Sequence, residues 1–236
     1  MDGIDTVADV LPYAARQYGT KAALGYRDIV GLVEEETEET KVVEGKETVV
    51  KKKWTFFQLS DYKYISFIEL KNTVDDVARG LVDIGVTRAD VLNIFASTRC
   101  VIYVQAASLS NTVLSHHWQI VQHACMQIGT TIATAYDTLG EDGLTHSLNE
   151  PEVAAVFTNA DLLDIFSRVL ANTPTVRFVI YDGTAKPEVL DKIRSIRSDL
   201  VITTLDELRA RGQGLEGDDR KKVDEQVSRL ILPVIE

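Results

Sequence analysis

Thiols are scarce in this sequence. Cys100 and Cys125 are the two cysteines among 236 residues, and they lack CxxC spacing. That makes a zinc site improbable, because zinc knuckles need closely spaced thiolate pairs. A disulfide stays open on sequence alone, and the favoured reading is two buried thiols in a reducing compartment. Positive charge is in deficit too: 25 Lys and Arg stand against 36 Asp and Glu, a formal net charge of −11. Phosphate backbones are gripped by clustered cations, so this balance argues against nucleic-acid binding and disfavours an anionic membrane surface. Its plain role is solubility. Long apolar runs are missing, and none approaches the roughly 18–20 residues of a spanning helix. The start, MDGIDTVADVLPYAARQYG, has no basic region followed by an apolar stretch, so a signal peptide is not expected. The phosphate loop G-x-x-x-x-G-K-[ST] and the nucleophile elbow G-x-S-x-G are both absent.

What remains is ordinary globular material, 45% hydrophobic and 26% charged. It is enough for one large domain or two small ones. Thr6–Tyr18 has a helical pattern with Val7, Val10, Leu11 and Ala14 on one side. From Ala22 to Ile65, β-branched and aromatic residues alternate with charges, as in antiparallel hairpins, and Glu44-Gly45-Lys46 separates two such runs. The acidic block Glu34–Glu39 and the basic block Lys51–Lys53 either attract one another across a hairpin or, more simply, solvate its edges.

At Ser66 the period changes. Phe67, Leu70, Val74, Val77, Ala78 and Leu81 line one helical stripe, and Asp75, Asp76, Arg79 and Asp83 take the other side. Ser66 with Glu69 predicts a capping box, and Gly85 supplies the left-handed stop. Strands then alternate with helices. Strands are expected at Val91–Ala96, Thr130–Ala135, Val153–Thr158, Val176–Tyr181 and Leu200–Thr203. Helices are expected at Trp118–Gln127, from a Thr138/Glu141 capping box to about Asn149, after Asn159, after Pro187, and from Thr204/Glu207 to about Gly212. Short apolar strands joined by helices of about ten residues imply right-handed crossovers and a parallel sheet covered on both faces. The expected fold is therefore α/β: a doubly wound, mostly parallel sheet with an N-terminal antiparallel hairpin extension.

Candidate chemistry is thin. Gly212-Gln-Gly214-Leu-Glu-Gly217 matches G-x-G-x-x-G, but a charged helix precedes it where a dinucleotide site needs a strand, so a flexible linker is expected. His116, His117, His123 and His146 show no metal-ligand spacing, and adjacent His116 and His117 are expected to diverge. His146 and Ser147 are neighbours, a poor arrangement for a nucleophile and its base. Asp137 and Asp182 fall just past the C-terminal ends of strands, where α/β proteins place ligands. There they could meet a phosphate or Mg²⁺, and their simpler role is turn formation and helix entry.

Several segments carry a family resemblance: TVADVLPYAARQYGTKAALGYRD, KKKWTFFQLSDYKYISFIEL, VDDVARGLVDIGV, YDTLGEDGLTHSLNE, VFTNADLL and ANTPTVRFVIYDG. Together they resemble the long-chain fatty acyl-CoA synthetases of the adenylate-forming, AMP-binding superfamily, most like the fungal-type members. The likeness is dense from Thr6 to Ser97 and from Trp118 to Gly214, and Tyr136-Asp137-Thr138-Leu139-Gly140 is its most specific piece. It implies a complete enzyme that uses ATP, Mg²⁺ and CoA to turn a fatty acid into acyl-CoA, AMP and pyrophosphate. Family members are often peripheral to endoplasmic reticulum, lipid-droplet or peroxisomal membranes, and a cytoplasmic location is expected.

The departures shape the expectation. The family's [Y]-T-S-G-[ST]-T-G-x-P-K-G phosphate-binding signature does not occur here. No catalytic, cofactor-binding or metal-binding residue is therefore carried over, and no cofactor is expected for this chain by itself. Residues 1–65 are expected to form the N-terminal extension and 66–214 the α/β subdomain. Residues 100–117 are expected to be an insertion and 215–236 a divergent charged tail, as in a truncated or mis-spliced product. The expected function is an inactive N-terminal fragment of a long-chain fatty acid–CoA ligase that can associate with the rest of a synthetase. The alternatives are a non-catalytic interaction module or a small nucleotide- or phosphate-binding α/β domain.

Overall fold

The computed structural model describes residues 4–43, 46–96 and 116–229. Cys100, most of the expected insertion, and the apolar residues Ile231, Leu232 and Ile235 lie outside that set.

The chain opens with helix α1 (Val10–Tyr18), entered through a 3-10 turn at Val7–Asp9. Its buried residues are Leu11 and Ala15, while Val7 and Val10 are exposed. The core face is thus rotated from the expected stripe, because a 3-10 turn advances the chain by a different angle from an α-turn. Two hairpins follow. Strand β1 (Ala22–Tyr26) pairs antiparallel with β4 (Lys63–Ser66), and between them β2 (Ile29–Val43) pairs antiparallel with β3 (Lys46–Leu59). The β2–β3 register sets Glu36 opposite Lys53, Thr37 opposite Lys52 and Glu38 opposite Lys51. Lys53 meets Glu36 at 3.3 Å with both side chains more than half exposed, so this pair is at once formed and solvated.

Helix α2 (Phe67–Asp83) forms as its pattern predicts. The Ser66 hydroxyl accepts from the Glu69 N–H at 3.2 Å, and the Glu69 carboxylate accepts from the Ser66 N–H at 2.8 Å. Gly85 turns the chain at φ +102°. Then come β5 (Val91–Phe95), α3 (His117–Ile128), β6 (Thr131–Ala135), α4 (Glu141–Asn149), β7 (Ala155–Asn159), α5 (Leu163–Val169), β8 (Phe178–Asp182), α6 (Pro187–Ile196), β9 (Val201–Thr204), α7 (Leu205–Gly214) and α8 (Gly217–Arg229). The Thr204–Glu207 box caps α7 as expected. The Thr138–Glu141 box does not form. Leu139 donates its N–H to the Tyr136 carbonyl in a turn, and α4 starts later, with Gly140 as its N-cap.

The sheet is parallel throughout, in the order β6-β5-β7-β8-β9. On one face Leu92, Ile94, Ala155, Phe157, Phe178 and Ile180 pack under α2, α3 and α7. On the other, Phe95, Val156, Val179 and Tyr181 pack under α4, α5 and α6. The direction of winding reverses after β6, which explains the split. A right-handed crossover to β6 uses one face, and the return crossovers toward β9 use the other.

Helices α2 and α7 approach closely enough to exclude side chains. A Cβ on Gly80 would lie 2.2 Å from the Leu208 carbonyl oxygen, and one on Gly212 would lie 1.9 Å from that of Asp76. The Gly212–Gly217 segment is therefore neither a dinucleotide loop nor a flexible linker: Gly212 and Gly214 belong to α7, and Gly212 is a buried packing residue. The polar side of α2 is also covered. Arg79 donates to Asp224 on α8 at 2.6 Å, Gln213 on α7 to Asp76 at 2.8 Å, Arg211 on α7 to Asp83 at 2.9 Å, and Gln127 on α3 to Asp75 at 3.0 Å. Helix α8 adds a buried Val223 beside that network.

Candidate functional site

The strand order places the topological switch point between β5 and β7, whose following connections run to opposite sides of the sheet. Ligands of open α/β sheets bind in the crevice outside the carboxyl ends of such strands. Three carboxylates gather there: Asp137 after β6, Asp161 in the 3-10 turn (Ala160–Leu162) that follows β7, and Asp182 at the end of β8. Although Asp161 is exposed on the surface, partial desolvation, and then the charges of Asp137 and Asp182, push its carboxyl above the ordinary range, against backbone N–H groups of its own turn that pull it down. The crevice thus has an acidic character that disfavours a bare phosphate.

Asp161 is the member that sequence reading passed over. It sits in N-A-D-L, where an acidic residue in a first helical turn is the ordinary complement to the helix dipole. Only the fold brings its charge close to the other two. Asp182 has a definite partner, since its Oδ2 lies 2.7 Å from His117 Nδ1 at the first residue of α3. That contact joins the end of β8 to the start of α3 across the switch point.

His116 is the N-cap of α3, and its ring stands 4.5 Å from that of His117 and 4.6 Å from that of Tyr26. The two adjacent imidazoles therefore touch where divergence was expected, because the cap lies outside the regular helix. Burial first, and then the neighbouring His117, lower the His116 pKa to about 4, opposed by Asp182. It is a neutral imidazole at neutral pH. A groove of about 290 Å³ opens beside it, with Ile65, Ile120 and Leu205 among its apolar residues and Asp206 and Arg209 among its polar ones.

The remaining candidates are dispersed. His123 lies on α3 with its pKa lowered by burial. His146 pairs with Glu150 on the surface at 2.9 Å, and the Ser147 hydroxyl donates to the Leu144 carbonyl at 2.9 Å rather than to an imidazole. Cys125 is fully buried, and burial pushes its thiol up to about 12, which suppresses the reactive thiolate. Among the described residues no group of three or more His, Cys, Asp or Glu is arranged to hold a metal ion, and no helix is long and apolar enough to cross a membrane.

The scaffold resembles those of known proteins. The family model of the AMP-binding enzymes matches residues 41–228. Long-chain-fatty-acid–CoA ligase 1 of Schizosaccharomyces pombe is 34% identical over 201 residues, covering 85% of this chain and 27% of that protein. Long-chain-fatty-acid–CoA ligase 4 of Saccharomyces cerevisiae is 31% identical over 206 residues, covering 80% of this chain and 27% of the relative. The chain thus spans about a quarter of the length of the curated relatives it matches. Among solved structures, the A domain of a carboxylic acid reductase from Segniliparus rugosus, in complex with AMP and a carboxylic acid, superposes with a TM-score of 0.60 at 18% identity, over 89% of this chain and 30% of that one. A putative long-chain-fatty-acid CoA ligase from Rhodopseudomonas palustris gives 0.54 at 16% identity, over 86% of this chain and 36% of that one. These likenesses support the fold, and the match of the family model over most of the residues supports the kinship: the chain belongs to the family of AMP-binding enzymes.

Proposed function

We propose that these residues form the N-terminal scaffold of a long-chain fatty acid–CoA ligase and do not ligate fatty acid to CoA by themselves. The observation that carries this reading is the chemistry at the switch point. Acyl adenylation needs donors and cations aimed at phosphates, and removing one such donor in comparable sites costs about a hundredfold to a thousandfold. The crevice here presents Asp137, Asp161 and Asp182, and the family's Ser/Thr/Gly-rich phosphate signature does not occur in the sequence. In the complete reaction ATP with Mg²⁺ would activate the fatty acid carboxylate, and CoA would displace AMP. Those groups would be held by residues beyond the set described here. The test is an assay of the purified chain with palmitate, ATP, Mg²⁺ and CoA. The expected result is no acyl-AMP and no thioester above background, and turnover would refute the proposal.

An interaction module is the second reading, favoured by one observation. Val30, Leu32, Val33, Trp54 and Phe56 of the β2–β3 hairpin are all exposed. Apolar side chains gathered on a single hairpin suit a partner better than solvent.

A further inference from the structure

Two fully buried polar side chains sit on the central strands without a partner. Asn93 on β5 and Thr158 on β7 are both 0% exposed. The Asn93 Nδ2 and Oδ1 and the Thr158 Oγ1 are all buried and make no hydrogen bond among the described residues. Each such orphan costs about 1–3 kcal/mol, so buried polar groups are normally satisfied. Both belong to one face. Leu92 and Ile94 point into the cluster under α2 and α3, and Phe95 into the opposite one, so alternation turns Asn93 toward α4 and α5. The same rule turns Thr158 there, since Ala155 and Phe157 face the first cluster and Val156 the second. In register, Asn93 pairs with Val156 and Phe95 with Thr158, which makes Asn93 and Thr158 diagonal neighbours across the β5–β7 boundary.

We infer that Asn93 and Thr158 together hold one buried water molecule at the switch point. The donor and acceptor count fits. The amide offers two N–H donors on one nitrogen and a carbonyl oxygen, the hydroxyl donates or accepts, and a buried water makes about three hydrogen bonds to otherwise unsatisfied groups. Space is available on the flank, because the residue beside Asn93 on β6 is the small Ala133. The three atoms belong to an amide and a hydroxyl, with no charge to attract an ion. The water acts as a polar pin between the two strands whose ends define the acidic crevice, and it fixes their side chains in a core of otherwise non-directional contacts.

The test pairs stability with direct observation. Thr158→Val removes the hydroxyl at nearly constant shape, and Asn93→Leu removes the amide while adding volume that the vacated water site can take. Each is expected to lower the unfolding midpoint by about 2–6 °C. The double variant is expected to lose little more than the worse single one, because both remove the same water. A crystal structure at about 2 Å or better should show one ordered density peak within hydrogen-bonding distance of all three atoms. An unchanged or raised midpoint for Asn93→Leu would mean that leucine relieves an orphaned amide and no water is there. Additive losses in the double variant, or empty density at the site, overturn the inference equally. Should Asn93→Leu fail to fold, the isosteric Thr158→Val and the density decide.

Discussion

The β2–β3 hairpin and the five-stranded unit hold themselves together by opposite means. In the hairpin two consecutive strands pair antiparallel, Glu36 lies opposite Lys53 in register, and Trp54 and Phe56 stay exposed. In the α/β unit the strands lie parallel, a helix crosses between each strand and the next, and helices cover both faces. A two-stranded ribbon in water is marginal without a covered face. A sheet sealed between helix layers draws on burial at about 25 cal/mol per Å² of apolar surface. Stability should therefore concentrate in the second region, and substitutions can test that division.

The sharpest test lies at the α2–α7 contact. Gly212→Ala drives a methyl into the Asp76 carbonyl, which is backbone and cannot swing aside. A loss of about 2–4 kcal/mol in urea unfolding is expected, with Gly80→Ala behaving alike. A neutral result would mean that the helices are not in close contact, and the contrast with the hairpin would weaken.

Acid provides the next test, at the junction between the N-terminal strands and the α/β unit. The folded His116 has a pKa of about 4 against an ordinary 6.5, so the fold favours its neutral form. Its contribution is complete above about pH 6.5 and is lost as pH falls toward 4. The buried His123 is lowered as well and adds to the same slope. His116→Phe keeps a ring beside Tyr26 and should flatten the fall in stability between pH 6.5 and 5, as read by thermal melts at stepped pH. A slope identical to the parent's would refute the assignment.

Asp161 has the opposite sign. Its folded pKa is raised, so its contribution is complete below the unfolded value and is lost as pH rises through the folded one. Asp161→Asn should raise the melting temperature at neutral pH, with the gain shrinking on acidification through the carboxylate range. A gain that persists unchanged in acid would point to packing rather than charge. The smallest effect is expected in the hairpin. Lys53→Glu places like charges opposite Glu36 but in solvent, so a loss of about 0.5 kcal/mol or less is expected, fading in high salt. A loss comparable with that of Gly212→Ala would erase the distinction between the regions.

Legibility followed the same divide. Helix α2 was readable almost to the residue, because its stripe, its Ser66–Glu69 cap and its Gly85 stop are local signals that agree. The five strands and their crossovers were readable because runs of buried residues between helices allow few topologies. Thr138–Glu141 misled because a four-residue pattern does not reveal that Tyr136–Leu139 is occupied by a turn. The face of α1 was misassigned because periodicity does not know about a preceding 3-10 turn. At the candidate site Asp137 and Asp182 were legible from their places past strand ends, and Asp161 was not, since its neighbours are remote in sequence. Gly212 looked like a linker glycine for the same reason, as the backbone it touches belongs to α2.

The sequence alone determined the elements: where α2 begins and stops, that the strands between the helices are parallel and buried on both sides, and that Glu34–Glu39 can oppose Lys51–Lys53. Those are consequences of side-chain period, capping and turn chemistry, all of which act within a few residues. Tertiary structure alone decided which glycines become contact points, which acid joins Asp137 and Asp182, and which polar atoms on β5 and β7 are left to share a guest. Each of these depends on distances between segments far apart in the chain, and such distances are set by the packing of the whole core rather than by any stretch of it.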